Sequence, residues 1–320
     1  PGQSGSNARR RGVGVIDRCV GAGAAVLDPL CLSFSLIYIN TYRFAVKISN
    51  LVTVWRLSKL MSSFTLSDHQ KTFFETFGYL VFPGLMSDCI DELTQAFHEV
   101  FERRGLTHGG QERTAMIRFI DDHERLCTLL DDSRIDGIAK GLLGDDYNYV
   151  SSDGNFYVGD THWHCDSMHE HYDFIKVSLY LDPVGRDTGA LRVIPGSHIV
   201  NKAREHLGFA VNDCTNALGV HGRDVPCVSL DSNPGDLVVF HHTTLHASYG
   251  GNESRRMFTY NMSQHYADEH LDDLHNYLGT VAGEAKSCYG PILIDSAGAE
   301  RRRHLQQVLD STGAAKPQER

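Results

Sequence analysis

The sequence has no Cys-x-x-Cys pair among its eight cysteines, Cys19, Cys31, Cys89, Cys127, Cys165, Cys214, Cys227 and Cys288. That absence argues against a zinc knuckle and against a dense disulfide framework. Scattered thiols are expected to stay reduced, which points to a cytoplasmic location. No run approaches the ~20 consecutive apolar residues of a membrane-spanning helix, so a soluble protein without a membrane partner is expected. Positive charge is also scarce: 30 Lys and Arg against 40 Asp and Glu leave a formal net charge of -10. Nucleic acid is therefore not expected as a partner, because sequence-independent attraction to phosphate needs a cationic surface. Internal repeats are missing as well. The 320 residues, 41% of them hydrophobic, suffice for one large core, or two modest ones, around a buried small-molecule site.

Residues 1–60 differ in texture from the rest. Arg9, Arg10 and Arg11 precede an apolar run that Asp17, Arg18, Asp28 and Pro29 interrupt. A targeting peptide needs an unbroken apolar centre and a small-residue cleavage site. The segment is accordingly expected to be a disordered or non-native extension, with Met61 opening the conventional signals. From there a domain is expected over 61–283, followed by a C-terminal helix or tail over 284–320.

Ser67 is a plausible N-cap for a short helix toward Phe77, which Gly78 ends before the apolar strand Tyr79–Phe82. Pro83-Gly84 makes a turn, and Ser87 is expected to cap a second helix. Its apolar residues Ile90, Leu93, Phe97, Val100 and Phe101 recur at helical spacing, so one face is buried. Beyond about residue 147 short strands alternate with Gly, Pro and Asp: Asn155–Val158, Ile175–Leu181, Ala190–Ile194 and Leu237–Phe240. This predicts an α+β, mainly β protein built on an antiparallel sandwich with flanking helices. Asp268 to Leu278 reads as helix, and Arg301–Arg303 as part of a solvated helix or a disordered end.

His-x-Asp occurs three times, at His164-Cys165-Asp166, His171-Tyr172-Asp173 and His270-Leu271-Asp272. On a strand, residues i and i+2 project to one side and can share a metal; on a helix they diverge by about 200°, which disfavours the third copy. A mononuclear oxygenase iron takes two imidazoles and one carboxylate on one face and keeps the opposite face open.

The first copy stands in a longer string. Trp163-His164-Cys165-Asp166 is followed by Ile175 to Asp182, Thr188-Gly189-Ala190-Leu191, Ile194-Pro195-Gly196-Ser197-His198, Gly235-Asp236-Leu237-Val238-Val239-Phe240, His246-Ala247-Ser248, Asn252 and Arg255-Arg256. This order resembles the phytanoyl-CoA dioxygenase-like family of Fe(II)/2-oxoglutarate oxygenases over roughly residues 64–280. The resemblance implies a double-stranded β-helix, also called a jelly roll or cupin-like core. It implies His164, Asp166 and His246 as ligands of Fe(II), with His241 and His242 as competitors for the third place. It further implies 2-oxoglutarate and O2 as cosubstrates, with an arginine about ten residues after the distal histidine neutralising the far carboxylate.

Arg255 and Arg256 both qualify for that arginine. They cannot both point inward from one strand, and Arg256, in phase with Phe258 and Tyr260, is the choice. Ser248 is expected to donate a hydroxyl to the same carboxylate. Asn155, on the strand entering the site, is a further candidate contact to 2-oxoglutarate or substrate.

The reaction implied is hydroxylation of an aliphatic carbon of a small-molecule or acyl substrate, with release of succinate and CO2. Asp166 favours it over halogenation, for which relatives carry a small residue at that place. A zinc-dependent hydrolase, which would leave the arginine and Ser248 without a purpose, and a non-catalytic cupin-like metal-binding protein are the alternatives.

Overall fold

The computed structural model describes residues 63–169, 171–251, 255–282 and 288–312, all within one compact unit that starts at Leu60. The expectations for residues 1–60 and for Met61 lie outside the described residues, as does Asn252.

In chain order the helices are α1 (Asp68–Phe77), α2 (Ile90–Arg103), α3 (Glu124–Cys127), α4 (Ser133–Leu143), α5 (Lys202–Asn212), α6 (Cys214–Leu218), α7 (Leu271–Ala282), α8 (Pro291–Asp295) and α9 (Ala299–Ser311). The strands are β1 (Tyr79–Phe82), β2 (Thr114–Ile117), β3 (Asn148–Tyr157), β4 (Thr161–His164), β5 (Phe174–Tyr180), β6 (Leu191–Val193), β7 (Val228–Leu230), β8 (Leu237–His241), β9 (His246–Ser248) and β10 (Arg255–Ser263).

Local chemistry sets the first elements. The Ser67 hydroxyl accepts from the Gln70 N–H while the Gln70 side chain accepts from the Ser67 N–H, closing a capping box at the start of α1. Gly78 ends α1 at φ 80°, the left-handed conformation that glycine adopts without penalty. The second helix begins two residues later than a Ser87 cap predicts, with Cys89 as its N-cap. Ser87 sits instead in a run of turns tied to the Pro234-Gly235 turn. There the Met86 N–H donates to Gly235 O, and the Gly84 N–H to an Asp236 carboxylate oxygen.

The strands form two antiparallel sheets, a six-stranded one in the order β1-β8-β5-β10-β3-β2 and a four-stranded one in the order β4-β9-β6-β7. Facing each other, they make the jelly roll. Side chains alternate across the large sheet. One row, including Leu80, Val177, Leu179, Val239, Phe258 and Tyr260, joins the main core with Leu93 and Phe97 of α2. The opposite row, including Tyr180, Val238, Phe240 and Met257, meets Leu191 and Val193 of the small sheet. The far face of the small sheet carries Trp163, Ala247 and Tyr249, which pack with Val211 and Cys214 of the α5–α6 segment.

The C-terminal helix differs from its expected solvated character. Arg303 is exposed, but Arg301 is 3% exposed and paired with Asp131, and His304, Leu305, Val308 and Leu309 are buried with it. A run of arginines hides this face, because periodicity alone does not distinguish a solvated arginine from one satisfied by a buried partner.

Candidate metal and cosubstrate site

Strands β4 and β9 run side by side in antiparallel register, with His164 opposite His246 and Thr161 opposite Ser248. On both strands the intervening residues, Trp163 and Ala247, face the α5–α6 side. Alternation therefore sends His164, His246 and Ser248 to the interior. Asp166 lies just past β4, its N–H donating to His242 O at 3.0 Å. Ligand atoms of His164, Asp166 and His246 come within 4.8 Å of one another, and His246 Nε2 is 3.8 Å from Asp166 Oδ1.

Both imidazoles are oriented alike. His164 Nδ1 donates to His162 O at 2.7 Å, and His246 Nδ1 to Thr244 O at 2.9 Å. A proton held on Nδ1 leaves Nε2 with its lone pair, the arrangement that metal-binding histidines use. Burial pushes the His246 pKa down to about 4, so the ring is neutral at physiological pH. Burial alone would raise the Asp166 pKa, but Lys176, His246 and His242 outweigh it and hold the carboxyl well below the usual range. Lys176 Nζ approaches Asp166 Oδ2 at 3.1 Å, leaving Oδ1 on the His246 side. Two imidazole nitrogens and one carboxylate converging from one side are the donor set of a facial triad, so these residues fit an iron(II) ion with open positions.

The competing histidines are committed elsewhere. His242 Nε2 faces Asn261 Oδ1 at 3.0 Å and its Nδ1 faces Ser167 Oγ at 3.0 Å. His241 bonds Thr243 Oγ1 at 2.8 Å and Asp173 at 3.1 Å. The second His-x-Asp copy is split, with His171 paired to Asp273 and Asp173 to His241. The third straddles the start of α7.

The arginine choice reverses. Arg256 faces the helical layer, where Asp182 holds it at 2.5 Å and its side chain is 24% exposed. Arg255 points inward, 4% exposed, and its guanidinium donates to Ser248 Oγ and Gly189 O. Arg256 is in phase with Phe258 and Tyr260, but that row packs on helices and the neighbouring row faces the site. Among the described residues no carboxylate pairs with Arg255, and its buried Nε has no hydrogen-bond partner. A buried cation without a counter-anion is costly, and a ligand carboxylate would relieve it. Ser248 donates to Gly189 O at 2.9 Å, at the same corner.

Asn155 does not offer a free polar end. Its carbonyl accepts from Arg113 Nε at 2.8 Å, and its amide donates to Asp153. Arg113 carries no signal as a site residue in the sequence, whereas Gly189 stands in the ordered string through the Thr188-Gly189 pair. A Cβ at Gly189 would meet the Arg255 guanidinium at 2.1 Å, so only glycine, here at φ 95°, admits that side chain. Two guanidinium carbons approach the Tyr157 ring, that of Arg113 at 4.2 Å and that of Arg255 at 4.8 Å from its centroid.

A cavity of about 280 Å³ adjoins Asp166, lined also by Lys176, His242, Asn261, Asp153, Arg118 and Tyr277. Arg118 has φ 55°, the one positive value outside glycine among the described residues. A second cavity of about 470 Å³ shares Asp166 and Tyr277 and reaches Met168 and His169. No helix of the described residues is long and apolar enough to cross a membrane.

The family model for phytanoyl-CoA dioxygenase matches residues 74–257, more than half of the chain. The probable alpha-ketoglutarate-dependent hypophosphite dioxygenase of Stutzerimonas stutzeri is 27% identical over 167 residues, 46% of this chain and 57% of that protein. The chain thus spans little more than half the length of this curated relative. Among solved structures, HygX from Streptomyces hygroscopicus with nickel and 2-oxoglutarate bound shares the fold. It is 14% identical with a TM-score of 0.52, covering 63% of this chain and 88% of its own. The carbocyclase SnoK from nogalamycin biosynthesis is 21% identical with a TM-score of 0.49, covering 62% and 84%. With its jelly roll, converging triad and matched core, this chain belongs to the phytanoyl-CoA dioxygenase family.

Proposed function

We propose that the protein is a non-haem Fe(II)- and 2-oxoglutarate-dependent dioxygenase that hydroxylates an aliphatic carbon of a small-molecule or acyl substrate. The observation that carries this reading is the buried, unpaired Arg255 beside Ser248, two residues along β9 from His246. A zinc hydrolase would need the three ligands and a water, and would leave this cation without an anion. A 2-oxoglutarate carboxylate supplies one, and a planar guanidinium suits it.

In this scheme His164 and His246 bind the metal through Nε2 and Asp166 through Oδ1. Bound iron and cosubstrate would supply the oxidation of a substrate C–H bond, coupled to decarboxylation of 2-oxoglutarate to succinate. The protein's own work is positioning. The carbonyls of His162 and Thr244 lock the imidazole tautomers, and Lys176 holds the second oxygen of Asp166. Arg255 and Ser248 seat the far carboxylate. The cavity beside Asp166, lined also by Lys176, His242 and Tyr277 of α7, would receive the substrate.

The test is succinate release during a metabolite screen, with and without Fe(II), alongside direct measurement of 2-oxoglutarate binding to the metal-loaded protein. We expect Fe(II)-dependent binding and turnover, both lost in Asp166→Ala. Protein that holds zinc and neither binds nor consumes 2-oxoglutarate would overturn the reading.

A further inference from the structure

A second group of metal-ligating atoms lies on elements that the first site does not use. Asp136 of α4 and Glu300 and His304 of α9 each bring one donor atom within 4.8 Å of the others. Glu300 and His304 are four residues apart, which places them on one face of α9. His304 Nε2 stands 3.7 Å from Asp136 Oδ1 and 3.9 Å from Glu300 Oε1. Zinc–nitrogen and zinc–oxygen bonds of about 2.1 Å in a tetrahedron put donors roughly 3.4 Å apart, so small side-chain movements would close the shell.

The decisive atom is His304 Nε2. The residue is 2% exposed, and its Nδ1 donates to Tyr147 O at 2.7 Å. Nε2, on the other side of the ring, is buried and has no hydrogen-bond partner. It points between two carboxylates that are too distant for it to hydrogen-bond, so no proton joins the imidazole to either of them.

Lys140, with Nζ 2.9 Å from Asp136 Oδ2 and 3.0 Å from Glu300 Oε1, and Arg303, 2.7 Å from the same Glu300 oxygen, neutralise the carboxylates. Both leave Nε2 unserved. Their side chains are 27% and 45% exposed and can swing into solvent. Tyr147 supports the group twice: its ring stacks on His304 at 3.8 Å, and its hydroxyl donates to Asp136 Oδ1 at 3.3 Å. Fixing both a histidine tautomer and a carboxylate is the task of the groups that surround a metal's ligands.

We propose that Asp136, Glu300 and His304 form a second site for a divalent transition metal of the zinc type, which displaces the Lys140 ammonium and clamps α9 onto α4. One imidazole and two carboxylates suit Zn(II), with water completing the shell. Glu300, 62% exposed at its side chain, gives the ion a route in from solvent. The role is structural. The metal binds the folded chain and so stabilises the docked C-terminal helix by mass action.

Zn(II) titration of the full-length chain carrying His164→Ala and Asp166→Ala, which disables the first site, tests this by calorimetry and thermal melting. One equivalent of Zn(II) is expected to bind and to raise the melting midpoint. Adding His304→Gln should weaken that binding by at least about tenfold, and adding Lys140→Met should tighten it by removing one of the two competing cations. Glu300→Gln, at a side chain 62% exposed, should weaken it too and serves if the His304 variant fails to fold. Absence of Zn(II) binding below millimolar concentration would overturn the proposal. So would binding that neither His304→Gln nor Glu300→Gln alters, or binding that Lys140→Met leaves unchanged.

Discussion

At the scale of single residues, the two adjacent arginines make the sharpest comparison. Arg255 is buried and without a carboxylate partner, whereas Arg256 is held by Asp182 on the other face of the strand. Charge-assisted hydrogen bonds contribute roughly 1.5–3 kcal/mol, so Arg255→Ala should raise the 2-oxoglutarate dissociation constant by roughly 10- to 100-fold. Arg256→Ala should leave that constant nearly unchanged and lower stability by about 1 kcal/mol. Parallel binding and urea-unfolding measurements separate the two, and loss of binding in Arg256→Ala with binding kept in Arg255→Ala would return the role to Arg256. The sequence made the pair legible but not the choice within it. A strand with one wet face reveals its inward row by hydrophobicity, while β10 buries both rows and so hides which one lines the site. The candidate triad stands out in the sequence because His164, Asp166 and His246 sit in an extended ordered pattern, and the structure brings their ligand atoms together. Arg113 carries no such pattern, since an isolated cation looks the same in a cavity and on a surface.

Among the elements, α4 offers a test that runs against local propensity. Gly137 lies mid-helix, where alanine is ordinarily better by about 1 kcal/mol. An added Cβ would lie 1.9 Å from the Phe64 carbonyl oxygen, a backbone atom that cannot swing aside as a side chain can. Gly137→Ala is therefore expected to destabilise by roughly 1–3 kcal/mol, read as a lower urea midpoint; a higher midpoint would show that the contact yields easily. A related experiment concerns the turn before β6. Gly189→Ala should disturb Arg255 and weaken 2-oxoglutarate binding while the metal site keeps its affinity. Element boundaries were legible wherever glycine and proline punctuate the chain, as at Gly78 and Pro234-Gly235. The start of α2 was not, because a hydrogen bond from Met86 to Gly235, remote in sequence, recruits the residues around Ser87 into turns.

For the molecule as a whole, Asp121 links three distant segments. Its carboxylate accepts from the Gly290 N–H at 2.8 Å and from the Tyr149 hydroxyl at 3.1 Å, and Tyr289 in turn donates to Tyr149 O. Burial raises the Asp121 pKa from 3.8 to about 6, more than its hydrogen bonds lower it. A raised carboxyl pKa means that the folded state holds the proton more tightly. The stabilisation is complete below the unfolded value near 3.8 and is lost as pH rises through about 6. The wild type should thus lose roughly 2–3 kcal/mol relative to Asp121→Asn between pH 4 and pH 7. Chemical denaturation of both proteins across that range measures it, and parallel pH profiles would refute it. The docking of the C-terminal segment was the least legible part of the architecture. It depends on single polar contacts such as Arg301 with Asp131 and Gly290 with Asp121, which leave no periodic trace.

The two rows of β10 share a backbone but touch different neighbours. Phe258 and Tyr260 answer to the helices, while Met257, Thr259 and Asn261 answer to the interior of the roll. Substitutions in one row should combine almost additively with substitutions in the other, since residues without common partners seldom couple. Heritable change can then retune what the interior accepts without eroding the scaffold that carries it, and laboratory evolution of this chain would do well to sample the odd-numbered positions from 257 to 261 first.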